Sequence, residues 1–225
     1  MKLCLSQIRM YKRMLQSILK IGLPAGFEAI MYSISNIIVQ VSINNFGVDT
    51  MAAWTAYSKI DFIFWMINSA FGISVMTFVG QNYGAGKWDR IRRGTKICLG
   101  MALISAVSVS IILMSAERFL FGIFVNDVGV VEIGIRMMNV IAPAYLLFAF
   151  IEVFSGALRA QGAVVVSTLI TMVGICVLRM IWVTLVAAHG TLEQVIICYP
   201  ITWAAGALAM SIYYIYKQRK IFQAR

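Results

Sequence analysis

Gly80-Gln81-Asn82-Tyr83-Gly84-Ala85-Gly86-Lys87-Trp88-Asp89-Arg90-Ile91-Arg92-Arg93-Gly94 is the stretch that decides how this chain is read. Apolar sequence runs into it for a full membrane span and resumes directly after it. Within it the chain turns Gly-rich and then basic, with Lys87, Arg90, Arg92, Arg93 and Lys96 opposing only Asp89. A short basic knot between two long apolar runs marks a cytoplasmic turn, because cytoplasmic connections carry the Lys and Arg excess of a polytopic membrane protein.

The composition agrees. Hydrophobic residues make up 61% of the 225 residues, charged ones 12%, and the mean hydropathy is +0.86. Soluble domains run nearer about 45–50% apolar and about 25% charged. Six apolar segments of roughly 20 residues each, plus short connections, use nearly the whole sequence and leave no room for a soluble catalytic domain within it. The expected fold class is therefore all-α, a polytopic membrane protein with six transmembrane helices.

The net charge of +10 does not point to nucleic acid. Fifteen of the nineteen Lys and Arg fall at residues 2–20, 87–96, Arg159 and 217–225. These clusters alternate with connections carrying Asp49, Glu117, Asp127, Glu132 and Glu193. Both termini are thus expected in the cytoplasm, in a multi-pass protein of the plasma (inner) membrane. Cys4, Cys98, Cys176 and Cys198 show no paired spacing and read as small core hydrophobes. His189, the single histidine, has no ligand partners nearby, so no metal site is expected.

The organisation follows. Residues 1–20 are expected to form a cytoplasmic amphipathic lead-in, with Ile8, Tyr11, Met14 or Leu15, and Ile18 at helical spacing beside Arg9, Lys12, Arg13 and Lys20, suited to the anionic inner leaflet. Residues 21–216 hold the six-helix lobe, with spans near 20–45, 51–79, 95–115, 134–160, 164–188 and 192–216. Residues 217–225 are a basic tail. Pro24 falls near the start of the first span, where a helix tolerates it, and Pro143 predicts a kink in the fourth. Tyr213, Tyr214 and Tyr216 read as an interfacial aromatic belt.

Polar residues within the spans are patterned. Glu28, Tyr32, Asn36, Gln40 and Asn44 recur every four positions, one slowly drifting face that belongs against protein or a water-filled cavity rather than lipid. In the second span Asp61, Trp65, Asn68 and Gly72 share a face. In the fourth, Tyr145, Glu152, Ser155 and Arg159 do so, and in the fifth Thr168, Thr171, Arg179 and Trp182. Counted from the helix ends at about 1.5 Å per residue, Glu28, Asp61 and Arg179 should lie at similar depth.

The motifs resemble a known family. Gly80-Gln81-Asn82-Tyr83-Gly84-Ala85-Gly86 with its trailing basic residues is similar to the cytoplasmic loop of the multidrug and toxic compound extrusion (MATE) transporters. Ile21-Gly22-Leu23-Pro24-Ala25-Gly26 resembles the start of the helix that opens their second half, and Ser155-Gly156-Ala157-Leu158-Arg159 with Gly162 resembles a later motif of that half. The chain departs from the family where Ala160-Gln161-Gly162-Ala163 replaces a sequence that usually carries an acidic residue. The resemblance implies one C-terminal six-helix lobe, and residues 1–20 then look like the tail of an inter-lobe loop. It also implies secondary active antiport that exports drugs or cationic and amphipathic metabolites against protons or sodium, with no cofactor beyond the coupling ion. The implied partners are membrane lipids, a small-molecule substrate, and either the N-terminal lobe or a second copy as a homodimer.

A charged side chain at mid-membrane is costly and is usually paired or functional. Glu28, Asp61 and Glu152 are the candidates for ion coupling, since a carboxylate in an apolar cavity can take up and release a proton near neutral pH. Tyr32, Asn36, Gln40, Trp65, Asn68 and Tyr145 are candidate cavity lining, with aromatic faces suited to cations. The other reading is internal pairing, with Lys59 or Arg179 as counter-charges that neutralise Asp61 or Glu28. The 80–86 motif itself is not a phosphate cradle, because Gly86-Lys87 is followed by Trp88 instead of Ser or Thr. A non-transporting six-helix fragment or partner subunit, and a lipid or oligosaccharide flippase of the same superfamily, are the alternatives. No Ser/His, paired-Asp or His-cluster pattern suggests an enzyme.

Overall fold

The computed structural model describes residues 11–185 and 190–223, with only the backbone at Ser17 and Phe222. His189, Cys4 and the first half of the lead-in lie outside the described residues. Among those described there is no strand. Six helical stretches are long and apolar enough to cross a membrane: Lys12–Asn44, Val48–Gly84, Trp88–Ser115, Val128–Ala160, Val164–Leu185 and Leu192–Ile221. The protein is an all-α, multi-pass membrane protein.

The first span is one helix, α1 (Lys12–Asn44), and the second is α2 (Val48–Gly84). With 33 and 37 residues, they run about 50 and 55 Å at 1.5 Å per residue, well beyond a hydrocarbon core of about 30 Å. The second half of the expected lead-in is therefore continuous with the first span. Pro24 lies inside α1, not at its start. Between the two helices Gly47 adopts φ +98, and the chain reverses there.

The Gly80–Gly94 stretch is mostly helix rather than loop. α2 runs through Gly84, and only Ala85, Gly86 and Lys87 turn before α3 (Trp88–Ser115) begins. Gly86 sits at φ +67, a left-handed position that other residues adopt only with strain. The Ala85 N–H donates to the Gln81 carbonyl (3.2 Å) and the Lys87 N–H to the Asn82 carbonyl (2.9 Å), closing the helix end. Tyr83 meets Trp88 edge-on at 4.9 Å. A Cβ on Gly94 would overlap the Phe78 ring, so the basic first turns of α3 are pressed against the end of α2.

A short helix, α4 (Glu117–Gly122), leads to α5 (Val128–Ile141), whose first turn is capped by the Asp127 carboxylate accepting from the Gly129 and Val130 N–H groups. Arg118 pairs with Glu132 at 2.7 Å across this connection. Both are well exposed, so the pair contributes at most about 1 kcal/mol. Pro143 produces the expected break as a 3-10 turn, Ala142–Ala144, and the fourth span continues as α6 (Tyr145–Ala160).

The fifth span is interrupted in a way the sequence pattern does not show. α7 (Val164–Thr171) and α8 (Leu178–Leu185) are joined by a π-helical segment, Met172–Val177. There Gly174 approaches Gly206, whose Cα would lie 3.3 Å from a Cβ at position 174. After the short α9 (Leu192–Ile196), α10 (Cys198–Gln223) completes the bundle. Tyr214 does not join an interfacial belt: it is buried and stacked on Phe154 at 4.5 Å. Tyr213 is half-buried and packed against the core, and Tyr216 is exposed. One helix cannot turn residues 213, 214 and 216 to the same side at about 100° per residue.

The fourth span is the central post. Gly156 on α6 faces α2 so closely that a Cβ there would lie 2.8 Å from the Gly72 carbonyl oxygen and 2.9 Å from Val75. A Cβ on Gly72 would overlap the Glu152 carboxyl group. Small residues at a crossing of this kind drive packing in a bilayer, where apolar burial alone provides no preference for a neighbouring helix over lipid. Gly156→Val should therefore cost about 1–3 kcal/mol through overpacking and lower the thermal midpoint of the detergent-solubilised chain by several degrees. Gly100→Val, at a glycine with open space around it, should leave the midpoint within a degree; equal effects would show that the crossing is not tight.

Candidate functional site

The close crossing of α2 and α6 brings the polar face of the second span against that of the fourth. The Tyr145 hydroxyl donates to Asp61 Oδ1 at 2.5 Å, and the Trp65 indole N–H donates to Oδ2 at 2.6 Å. Tyr57 lies 3.2 Å from the Tyr145 hydroxyl, and Phe64 stacks on the Tyr145 ring at 3.8 Å. Asp61 is thus held by neutral donors and, among the described residues, by no cation. Neither Lys59 nor Arg179 neutralises it. Lys59 is exposed and shares a shallow surface pocket with Thr55 and Phe62.

Asp61 lines a cavity of about 530 Å³. Tyr32, Asn36 and Gln40 of α1 form one side, Trp54, Tyr57, Ser58 and Trp65 of α2 the next, and Arg179, Tyr199 and Trp203 the back. The volume is in the range of small-molecule sites, and the lining is largely aromatic with a few polar groups, as such sites usually are. Asn36 is exposed, so the cavity opens along α1.

Arg179 stands on the far wall. Its Nη1 donates to the Asn36 carbonyl oxygen at 3.0 Å. Its guanidinium carbon lies 4.3 Å from the centre of the Tyr199 ring and 5.7 Å from that of Tyr32. Aromatic faces and one amide thus take the place of the carboxylate that the counter-charge reading expected.

Glu28 belongs to a different cluster. Arg159 Nη2 donates to both of its oxygens, at 2.7 and 2.9 Å, and Thr168 donates to Oε2 at 2.9 Å. The Glu28 side chain is 12% exposed and that of Arg159 29%. Glu152 lies within electrostatic reach of both. Arg159 closes α6 while Tyr145 opens it, 14 residues or about 21 Å apart along the axis. Glu28 and Asp61 therefore do not share a depth. Counting from helix ends failed because the helices are longer than the expected spans: α1 begins at Lys12 and α2 runs on to Gly84.

The structure thus brings Asp61, Trp65 and Tyr145 together, places Tyr32, Asn36, Gln40 and Arg179 around the same cavity, and sets Glu28 and Glu152 apart beside Arg159. Asn68 is buried on the α2 face below Trp65 and does not line the cavity. Gln40 also turns outward along its own helix to donate to Asn44 at 2.8 Å. Tyr57, Trp54, Tyr199 and Trp203 were not anticipated as lining. Tyr57 could have been, since it extends the Asp61–Trp65 face one turn back. Tyr199 and Trp203 are likewise one turn apart on α10. Among the described residues no cluster of three or more His, Cys, Asp or Glu could hold a metal ion.

Comparison with known proteins fits this architecture. The MatE family model matches residues 24–185. The chain belongs to the MatE family. It is 25% identical over 219 residues to the probable multidrug resistance protein YoeA of Bacillus subtilis, covering 95% of this chain and 47% of the relative. It is 22% identical over 158 residues to human multidrug and toxin extrusion protein 1, covering 68% and 28%. The chain spans about half the length of the curated relatives it matches best along its own sequence. A MATE transporter solved in an outward-facing conformation superposes with a TM-score of 0.87 at 16% identity, over 98% of this chain and 50% of that one. An inward-facing structure superposes with 0.81 over 98% and 51%. These likenesses establish the fold of one six-helix lobe.

Within this MatE lobe, the connection that lacks the usual acidic residue is closed without one. Gly162 takes φ +79, Gln218 donates to the buried Gln161 side chain at 3.0 Å, and Lys217 donates to the Gln161 carbonyl at 2.9 Å. Arg159 is left to reach inward to Glu28. A double-mutant cycle with Glu28→Gln and Arg159→Gln should give a coupling of about 1–2 kcal/mol in thermal or denaturant unfolding. Additive effects would mean that the pair is incidental.

Proposed function

We propose that the chain is the C-terminal lobe of a secondary active antiporter that exports drugs or cationic and amphipathic metabolites against protons or sodium. Family membership supports the transport reading. The observation that carries the mechanism is the division of acidic groups: Asp61 at a solute-sized cavity, and Glu28 with Glu152 beside Arg159. In this reading the Glu28 cluster is the ion-responsive half. Its carboxylate is held by one cation and one hydroxyl, so protonation or sodium binding would loosen Arg159 and, through it, the end of α6. Asp61 and the aromatic walls receive the solute. Tyr32 and Asn36, on the same face of α1 as Glu28, link the two.

The six helices supply one of the two lobes that the relatives' length implies, so the working unit pairs this lobe with an N-terminal lobe or a second copy. The basic clusters place both termini on the cytoplasmic side of the plasma membrane in this reading.

Ion-driven efflux of a cationic dye, measured in inverted membrane vesicles carrying the chain, tests it. Glu28→Gln and Asp61→Asn should each reduce efflux at least tenfold at equal expression. Efflux unchanged in both variants would make these charges structural.

A further inference from the structure

The walls of the Asp61 cavity are unequal in what they leave available. On the α2 side, both Asp61 oxygens are already taken up by Tyr145 and Trp65. On the far side, Arg179 is 1% exposed, yet its Nε and Nη2 have no acceptor among the described residues. Nη1 donates to Asn36, and the Tyr32 hydroxyl, itself without a geometric hydrogen-bond partner, stands close enough to interact with the guanidinium. Trp203, also 1% exposed and lining the same cavity, has an indole N–H without an acceptor. A buried guanidinium with two nitrogens left without a bonded acceptor is an unusual end state, because a buried cation is ordinarily paired and buried donors ordinarily bonded. The chemistry wanting at this end of the cavity is an acceptor that carries negative charge.

We infer that Arg179 is an anion-accepting subsite, taking the carboxylate or similar planar oxyanion of a solute whose ring lies among Trp54, Tyr57, Tyr199 and Trp203. The guanidinium suits this role, since its Nε–H and Nη2–H edge matches a carboxylate in a two-point contact. Tyr199 holds the guanidinium from its face at 4.3 Å and Asn36 from one nitrogen, so the remaining edge is oriented before a ligand arrives. The role differs from an internal counter-charge: it makes Arg179 a specificity residue, and the favoured solutes carry an anionic group as well as an aromatic body. The inference rests on the reading of this cavity as the solute site.

Three probes that share one ring separate the possibilities: dansylglycine (anionic), dansylamide (neutral) and dansylcadaverine (cationic). Binding to the purified full chain in nanodiscs is read by energy transfer from its tryptophans, three of which line the cavity. Dansylglycine should bind at least tenfold tighter than dansylamide. Arg179→Gln should bring that ratio to about one while dansylamide still binds, which shows that the cavity is intact, and Arg179→Lys should keep part of the preference. A wild-type ratio near one, or a ratio unchanged in Arg179→Gln, overturns the anion subsite and leaves the solute cavity standing. If no probe binds saturably to the wild-type chain, the solute cavity fails and the subsite with it.

Discussion

Gly72 and Gly156 let the second and fourth spans meet nearly backbone to backbone, and the arrangement of the polar groups follows from that contact. Water provides no drive for helices to associate inside a bilayer, so a close, well-fitted crossing has to supply the specificity. Because α6 lies so near α2, the Tyr145 hydroxyl reaches Asp61 and the Glu152 carboxyl is pressed over Gly72. A larger side chain at either glycine would part the helices and with them the donor and acceptor.

Around this post three charged side chains within the spans are held in three ways. Glu28 has a cation and a hydroxyl. Asp61 has two neutral donors. Arg179 has aromatic faces and one amide. The differences matter because Glu28 is matched by an opposite charge, whereas Arg179, held by ring faces and one amide, keeps donor capacity for something else. The cavity presents a carboxylate on one wall and a guanidinium on the other.

The conduct of individual residues shows how far linear sequence reaches. The face formed by Asp61, Trp65 and Asn68 was legible because helical periodicity is a local property, and the same holds for the break at Pro143. Depth was not legible: α1 and α2 extend past the spans read from hydropathy, so counting inward from those spans set Glu28 level with Asp61. The Arg159 partner was missed for a related reason. Its place beside a cytoplasmic motif suggested a loop role, yet a long side chain at the end of α6 reaches inward to α1. The π-helical segment at Met172–Val177, which contains the close approach of Gly174 to Gly206, left no trace in the pattern.

Composition, the alternation of basic clusters and the Gly80–Gly94 turn were enough to establish an all-α polytopic lobe, because bilayer thickness and the requirement that every backbone group be bonded leave few other solutions. Which charges pair, which tyrosine faces inward and which walls close around a cavity depended on how helices distant in sequence cross. That is settled by side-chain volume and reach at the contacts, quantities that exist only once the helices are packed.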